Sequence, residues 1–145
     1  MTYKHVKMYL KIAKTISDAG TCKRARTGAV IVNNGCIIGT GYNGSAKGEA
    51  HCLDKGCDMD NGHCVRCVHA ETNAIINAAR SGTSTVGSVM LCTHRPCHRC
   101  MRNIINSGIE AVFYIYNYPD ERTDKLVKET GFIEKIFRAF EEVLS

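Results

Sequence analysis

Apolar positions recur at helical spacing from the start of the chain. Val6, Tyr9, Leu10, Ala13 and Ile16 share one face over residues 3–19, lysines fall between them, and Gly20 supplies a stop. The period then changes. Gly28–Val32 and Cys36–Gly41 are short apolar runs separated by Asn33-Asn34-Gly35, the turn chemistry of a β-hairpin. Residues 42–68 are rich in Gly, Cys, His and Asp and show no periodicity. A loop this long inside a compact domain is functional or is held by something. Helical spacing returns over 70–81, where Ala70, Ala74, Ile75, Ala78 and Ala79 share a face. Ser88–Thr93 reads as a short strand. Residues 97–107 read as a helix with Cys97, Cys100, Met101, Ile104 and Ile105 on one stripe, closed by Gly108. Ile109–Tyr116 is nearly continuous in apolar residues, as a central strand should be. A helix over 120–130 stopped by Gly131, a strand over 132–137 and a short helix over 138–144 complete the pattern.

The order α-β-β-α-β-α-β-α-β-α predicts an α/β fold: a three-layer α/β/α sandwich around a central mixed five-stranded sheet. A chain of 145 residues supports one core, so a single domain over 1–145 is expected. Hydrophobic content of 44% and charged content of 23% are ordinary for a globular protein. No run approaches the length of a membrane span. The first twenty residues mix Lys with apolar residues and lack a cleavage site, so no signal peptide is read there and a cytoplasmic location is expected.

Nine cysteines change the picture. Without a secretory signal, metal ligands and catalytic thiolates come before disulfides. The net charge of +5 favours anionic partners without choosing between a metabolite phosphate and a nucleic acid.

Cys97 and Cys100 follow Pro96 at a helix opening. Positions i and i+3 share a face, and the helix N-terminus favours thiolate over thiol. The bland reading is two buried cysteines continuing an apolar stripe. His69 and Glu71 are two apart, which diverge by about 200° inside a helix. At a helix entry, however, both can converge on one site. Taken together, His69, Cys97 and Cys100 form a three-ligand zinc set with its fourth position open, as in catalytic rather than structural zinc. Two thiolates make that zinc a weaker Lewis acid, and Glu71 can take the proton of the water it must activate.

His69-Ala70-Glu71 with Pro96-Cys97-x-x-Cys100 resembles the zinc-dependent cytidine/deoxycytidylate deaminase superfamily, across about residues 4–135. Thr21-Cys22-Lys23-Arg24-Ala25-Arg26-Thr27-Gly28-Ala29-Val30, Gly41-Tyr42-Asn43-Gly44, His51-Cys52-Leu53, the run Gly62–Glu71 and Tyr116-Asn117-Tyr118 look like deoxycytidylate (dCMP) deaminases. Ala46 departs from the Pro that family commonly has there. The resemblance implies hydrolysis of dCMP to dUMP and ammonia, with Glu71 shuttling the proton to N3. It also implies Arg26 and Ser45 at the 5′-phosphate, Asn43 on a sugar hydroxyl and Tyr118 over phosphate or base. Ala70 N–H and the carbonyls near Thr93–Arg95 would meet the ring. Asn43 also reads as a plain turn residue.

The same resemblance implies further features. A second, structural zinc would order the long loop, with Cys22, Cys52, Cys57 and Cys64 as the first choice of ligands and His51, His63 and Cys67 as rivals. Cys36 and Cys92 are expected in the core. A homohexamer activated by dCTP, bound with Mg2+, and inhibited by dTTP is implied as well, with no nucleic-acid and no membrane partner. Rival readings are a tRNA adenosine, guanine or cytidine deaminase, and a zinc ribbon pairing Cys64-x-x-Cys67 with Cys97-x-x-Cys100.

Overall fold

The structure, a computed structural model, describes residues 1–22, 24–60 and 63–138; the side chains of His63 and Cys64 lie outside the description. Helix α1 spans Tyr3–Ser17, and strands β1 (Gly28–Asn33) and β2 (Cys36–Tyr42) form the hairpin. Its turn uses positive φ at both Asn34 and Gly35, 49° and 76°, which an Asn-Gly pair adopts readily. Short elements follow: β3 (Gly44–Ser45), α2 (Cys52–Lys55), β4 (Met59–Asp60), β5 (His63–Cys64) and β6 (Cys67–Val68). The remainder is α3 (Ala70–Arg80), β7 (Val89–His94), α4 (His98–Asn106), β8 (Ala111–Tyr116), α5 (Glu121–Thr130) and β9 (Ile133–Ile136). The helix expected over 138–144 falls, beyond Arg138, outside the described residues.

The sheet has the order β2-β1-β7-β8-β9. β1 runs antiparallel to β2 and to β7, and β7, β8 and β9 are parallel, so the five-stranded sheet is mixed. Alternation along each strand builds two cores. Ala29 and Ile31, Met90 and Cys92, and Val112 and Tyr114 face Ala70 and Ala74 of α3 and Met101 and Ile104 of α4, with Leu126 and Val127 of α5 beside them. Val30 and Val32, Leu91 and Ile115 face Val6, Tyr9, Leu10 and Ala13 of α1. The α/β/α three-layer sandwich is therefore the observed fold.

Cys92 is fully buried, as expected, but Cys36 is exposed. The topology explains the difference, because β2 is an edge strand and Cys36 is its first residue, beside the turn.

One contact sets the position of α3. Gly39 and Gly41 of β2 lie directly under it. A Cβ on Gly39 would come within 2.6 Å of Ala74 O, and one on Gly41 would meet Ala70 O and Ala74 N. The helix thus rests backbone to backbone on the strand, at the turn that carries His69 and Glu71. Gly41→Ala should force α3 off the strand and destabilise the protein by about 1–3 kcal/mol, the usual cost of overpacking. Urea denaturation of the variant against wild type measures the loss.

Candidate metal and proton-transfer site

His69 is the N-cap of α3 and Cys97 the N-cap of α4, both with extended backbone (ψ 152° and 168°). The extended cap frees each side chain from helical direction. His69 can therefore face the same point as Glu71, which the helical period alone forbids. Cys97 Sγ lies 3.5 Å and Cys100 Sγ 3.3 Å from His69 Nδ1. All three ligand atoms lie within 4.8 Å of one another. Thr72 Oγ1 approaches Cys100 Sγ at 3.7 Å. Both helix openings direct unsatisfied N–H groups and positive dipole ends at this point.

The neighbouring Cys100 thiol, with His69, holds Cys97 down to about 4 despite burial. Cys97 and burial push Cys100 up. Hydrogen bonding to the Cys97 sulfur raises His69. Two sulfurs and an imidazole so close share protons unless a cation lies between them. Soft thiolates with one imidazole suit zinc, and three protein ligands leave one position for solvent or substrate.

Glu71 is 5% exposed. Burial raises its carboxyl, and the charge of His69 only partly opposes this. A raised carboxyl next to a metal site is suited to taking and returning a proton near neutral pH. Burial also drives Cys92 well above the ordinary thiol value, which makes it an inert core residue.

The other candidates are spread around this centre. Asn43 is 6% exposed, and its amide is largely engaged: Nδ2 donates to Ala25 O (2.7 Å) and Oδ1 accepts from Thr27 N (2.8 Å). It holds the segment on which Arg26 stands exposed. Gly41 serves the approach of α3 rather than that of a ligand. Ser45 Oγ donates to Ala50 O at 2.7 Å. Ala70 is the first residue of α3 and fully buried; Tyr118 is 42% exposed.

A second cluster joins Cys22, Cys52 and Cys67, all buried and with sulfurs within 4.8 Å of one another. Cys52 and Cys67 Sγ are 3.3 Å apart, and Cys57 packs against the group. Burial pushes the Cys22 thiol up, but backbone N–H groups of Arg24 and Ala25 and the thiols of Cys67 and Cys57 outweigh it and hold it down. Of the expected set, Cys22, Cys52 and Cys57 come together; the Cys64 side chain lies outside the described residues, and Cys67 stands in the group. His51 Nδ1 instead bonds Thr21 Oγ1 at 3.0 Å. The ribbon pairing is not formed, because Cys67 lies with Cys22 and Cys52 whereas Cys97 and Cys100 lie with His69.

Pattern reading missed Asn73 and Arg95. Asn73 Nδ2 donates to Tyr42 O (2.9 Å) and Val68 O (3.4 Å), tying α3 to both flanking segments. The only signal was an amide in the first turns of an otherwise apolar-faced helix. Arg95 is a buried arginine two residues before Cys97.

Residues 3–116 match the model of the cytidine and deoxycytidylate deaminase zinc-binding region. The chain belongs to this family. It is 45% identical over 98 residues to ComE operon protein 2 of Bacillus subtilis, covering 68% of this chain and 52% of that protein. It is 33% identical over 141 residues to the deoxycytidylate deaminase of Saccharomyces cerevisiae, covering 92% of this chain and 45% of that protein. The chain thus spans about half the length of these two curated relatives. The deoxycytidylate deaminase of phage T4 matches at 32% over 162 residues, covering 84% of each. Among solved structures, the dCMP deaminase of cyanophage S-TIM5 in complex with dCMP and dUMP superposes with a TM-score of 0.83 at 31% identity, covering 94% of this chain and 99% of that one.

In this family setting Glu71→Gln keeps the shape of the site and removes the buried carboxyl expected to carry the proton. Turnover should fall by about 10²–10⁴-fold, the usual contribution of general acid–base catalysis, with zinc content unchanged. Metal analysis beside a steady-state assay checks both halves.

Proposed function

We propose that the protein is a zinc-dependent deoxycytidylate deaminase, a hydrolase converting dCMP to dUMP and ammonia. The carrying observation is the convergence of His69, Cys97 and Cys100 beside the buried Glu71. The choice of substrate is supported by the likeness to the phage enzyme whose structure holds dCMP and dUMP.

His69 Nδ1, Cys97 Sγ and Cys100 Sγ would hold zinc. When bound, zinc would supply Lewis-acid activation of a water molecule. Glu71, kept from solvent and raised by burial, accepts that water's proton as its oxygen adds to C4 of the cytosine ring. Glu71 passes the proton to N3, takes the second one and delivers it to the C4 amine, which leaves as ammonia. The Ala70 N–H, free of an intrahelical partner at the opening of α3, is placed to meet the ring. Arg26, exposed on the segment that Asn43 holds, meets the 5′-phosphate, with Ser45 and Tyr118 at the sugar-phosphate end.

A second zinc belongs to the same proposal, closed by four thiolates from Cys22, Cys52, Cys57 and Cys67. The proximity of these sulfurs and the depressed Cys22 thiol support this set. Activation by dCTP with Mg2+, inhibition by dTTP, a homohexamer and a cytoplasmic setting complete it. Arg24, Arg26 and Lys47, all exposed near the Gly41–Gly44 segment, offer charge for a nucleotide triphosphate. No helix among the described residues is long and apolar enough to cross a membrane.

Ammonia release from dCMP, CMP, deoxycytidine, guanine and a tRNA anticodon arm, with and without dCTP, decides the substrate. Turnover of dCMP is expected, and turnover confined to the free base or the RNA overturns the proposal. Metal analysis should give two zinc per chain. Cys67→Ser should lower this to one and Cys64→Ser should leave it at two; the reverse pattern would restore Cys64 as the ligand.

A further inference from the structure

We propose that Arg95 is a positioning residue for the zinc ligand Cys97, acting through a clamp on Glu134 and Asp124. Arg95 is 6% exposed and lies two residues before Cys97. Its Nε and Nη2 donate to the two oxygens of Glu134 on β9 at 2.9 and 2.7 Å, a bidentate fork. The same Nη2 reaches Asp124 Oδ1 on α5 at 2.7 Å. Its backbone N–H donates to Tyr116 O, just past the end of the β7–β8 pairing, at 2.9 Å.

The covalent path from this anchor to the ligand is short and stiff. Pro96 fixes its own φ, has no N–H to donate and confines Arg95 to extended backbone. Cys97, the next residue, is an N-cap rather than an interior helical position, so α4 does not by itself fix its direction. Arg95 is thus the last charged anchor before the sulfur, and it ties the β7–α4 turn to α5, which packs on the same face of the sheet as α4, and to the edge strand β9. An arginine holds this place better than a lysine because only the planar fork satisfies Glu134 at both oxygens while reaching Asp124. A misplacement of about 1 Å at a reacting centre can cost on the order of 10² in rate, so the precision of this turn bears on catalysis.

The inference rests on the zinc reading of the site. Its test therefore includes a readout apart from turnover. Zinc release to a chromogenic chelator is followed in native protein, taking the kinetic phase that is lost in Cys100→Ser as the Cys97 site. Arg95→Lys and Glu134→Gln should each speed that phase by 10-fold or more and lower kcat by 10-fold or more, with KM for dCMP within 2-fold. Asp124→Asn should act less, since its side chain is 63% exposed. A fall in thermal stability with the release phase and kcat unchanged would mean a purely structural ion pair and overturn the proposal. An unchanged release phase in wild-type-like, fully folded Glu134→Gln would do so as well. If wild type has no phase that Cys100→Ser abolishes, the zinc reading itself fails, which is distinguishable from failure of the clamp.

Discussion

Three groups that acquire negative charge, Cys97, Cys100 and Glu71, crowd one point at the openings of two helices. Glu71 and Cys100 are almost wholly withdrawn from water. Like charges at such distances in a poorly solvated pocket repel strongly. Each helix N-terminus offers only about half a positive charge. A dication together with the two helix openings balances the three groups, whereas neither alone does.

Much of the fold brings those two openings together and holds them. α3 is located by backbone contact with Gly39 and Gly41, so its first turn cannot ride up from the sheet. Asn73 fastens the same turn to Tyr42 and Val68. α4 is located from the other direction. β7 lies between β1 and β8, and the fully buried Thr93 Oγ1 accepts the Gly28 N–H at 3.1 Å. The parallel register of β7 with β8 then sets where Arg95 and Cys97 emerge. Cys100 is carried inside α4, and His69 and Cys97, as N-caps, are left free to turn toward it.

Among the described residues, periodicity made the five main strands and the four long helices legible because most bury one face, or in β1, β7 and β8 nearly all of themselves, and apolar spacing records burial. Ile109 and Glu110 were read into β8, although pairing begins at Ala111, since an apolar residue before a strand looks like part of it. His69-Ala70-Glu71 and Pro96-Cys97-x-x-Cys100 were legible for a different reason, as motifs of metal-binding residue types at helix openings. The opening was read one residue early at Cys97, which is the extended N-cap of α4 rather than its first helical residue. The long loop was not legible in detail. Its elements are two-residue bridges and a single helical turn, too short for any period. Its organisation depends on which sulfurs meet, and spacing along the chain does not rank Cys64 against Cys67. The Arg95 clamp was hidden because its partners lie 29 and 39 residues away on α5 and β9.

The loop nevertheless shares a frame with the catalytic turn. Cys67 pairs with Ser45, Val68 pairs with Gly44, and His69 follows directly. Thr21, beside Cys22, donates its N–H to Asn43 O, accepts from Leu53 N and exchanges a hydrogen bond with His51. Asn43 in turn fixes the backbone on both sides of Arg26. The cysteine cluster therefore stands behind both His69 and the exposed cation Arg26. A segment with so little apolar surface cannot order itself by burial alone. Metal–sulfur bonds at its buried centre would supply that order and, through two short stretches of backbone, hold His69 and Arg26 in fixed relation to each other.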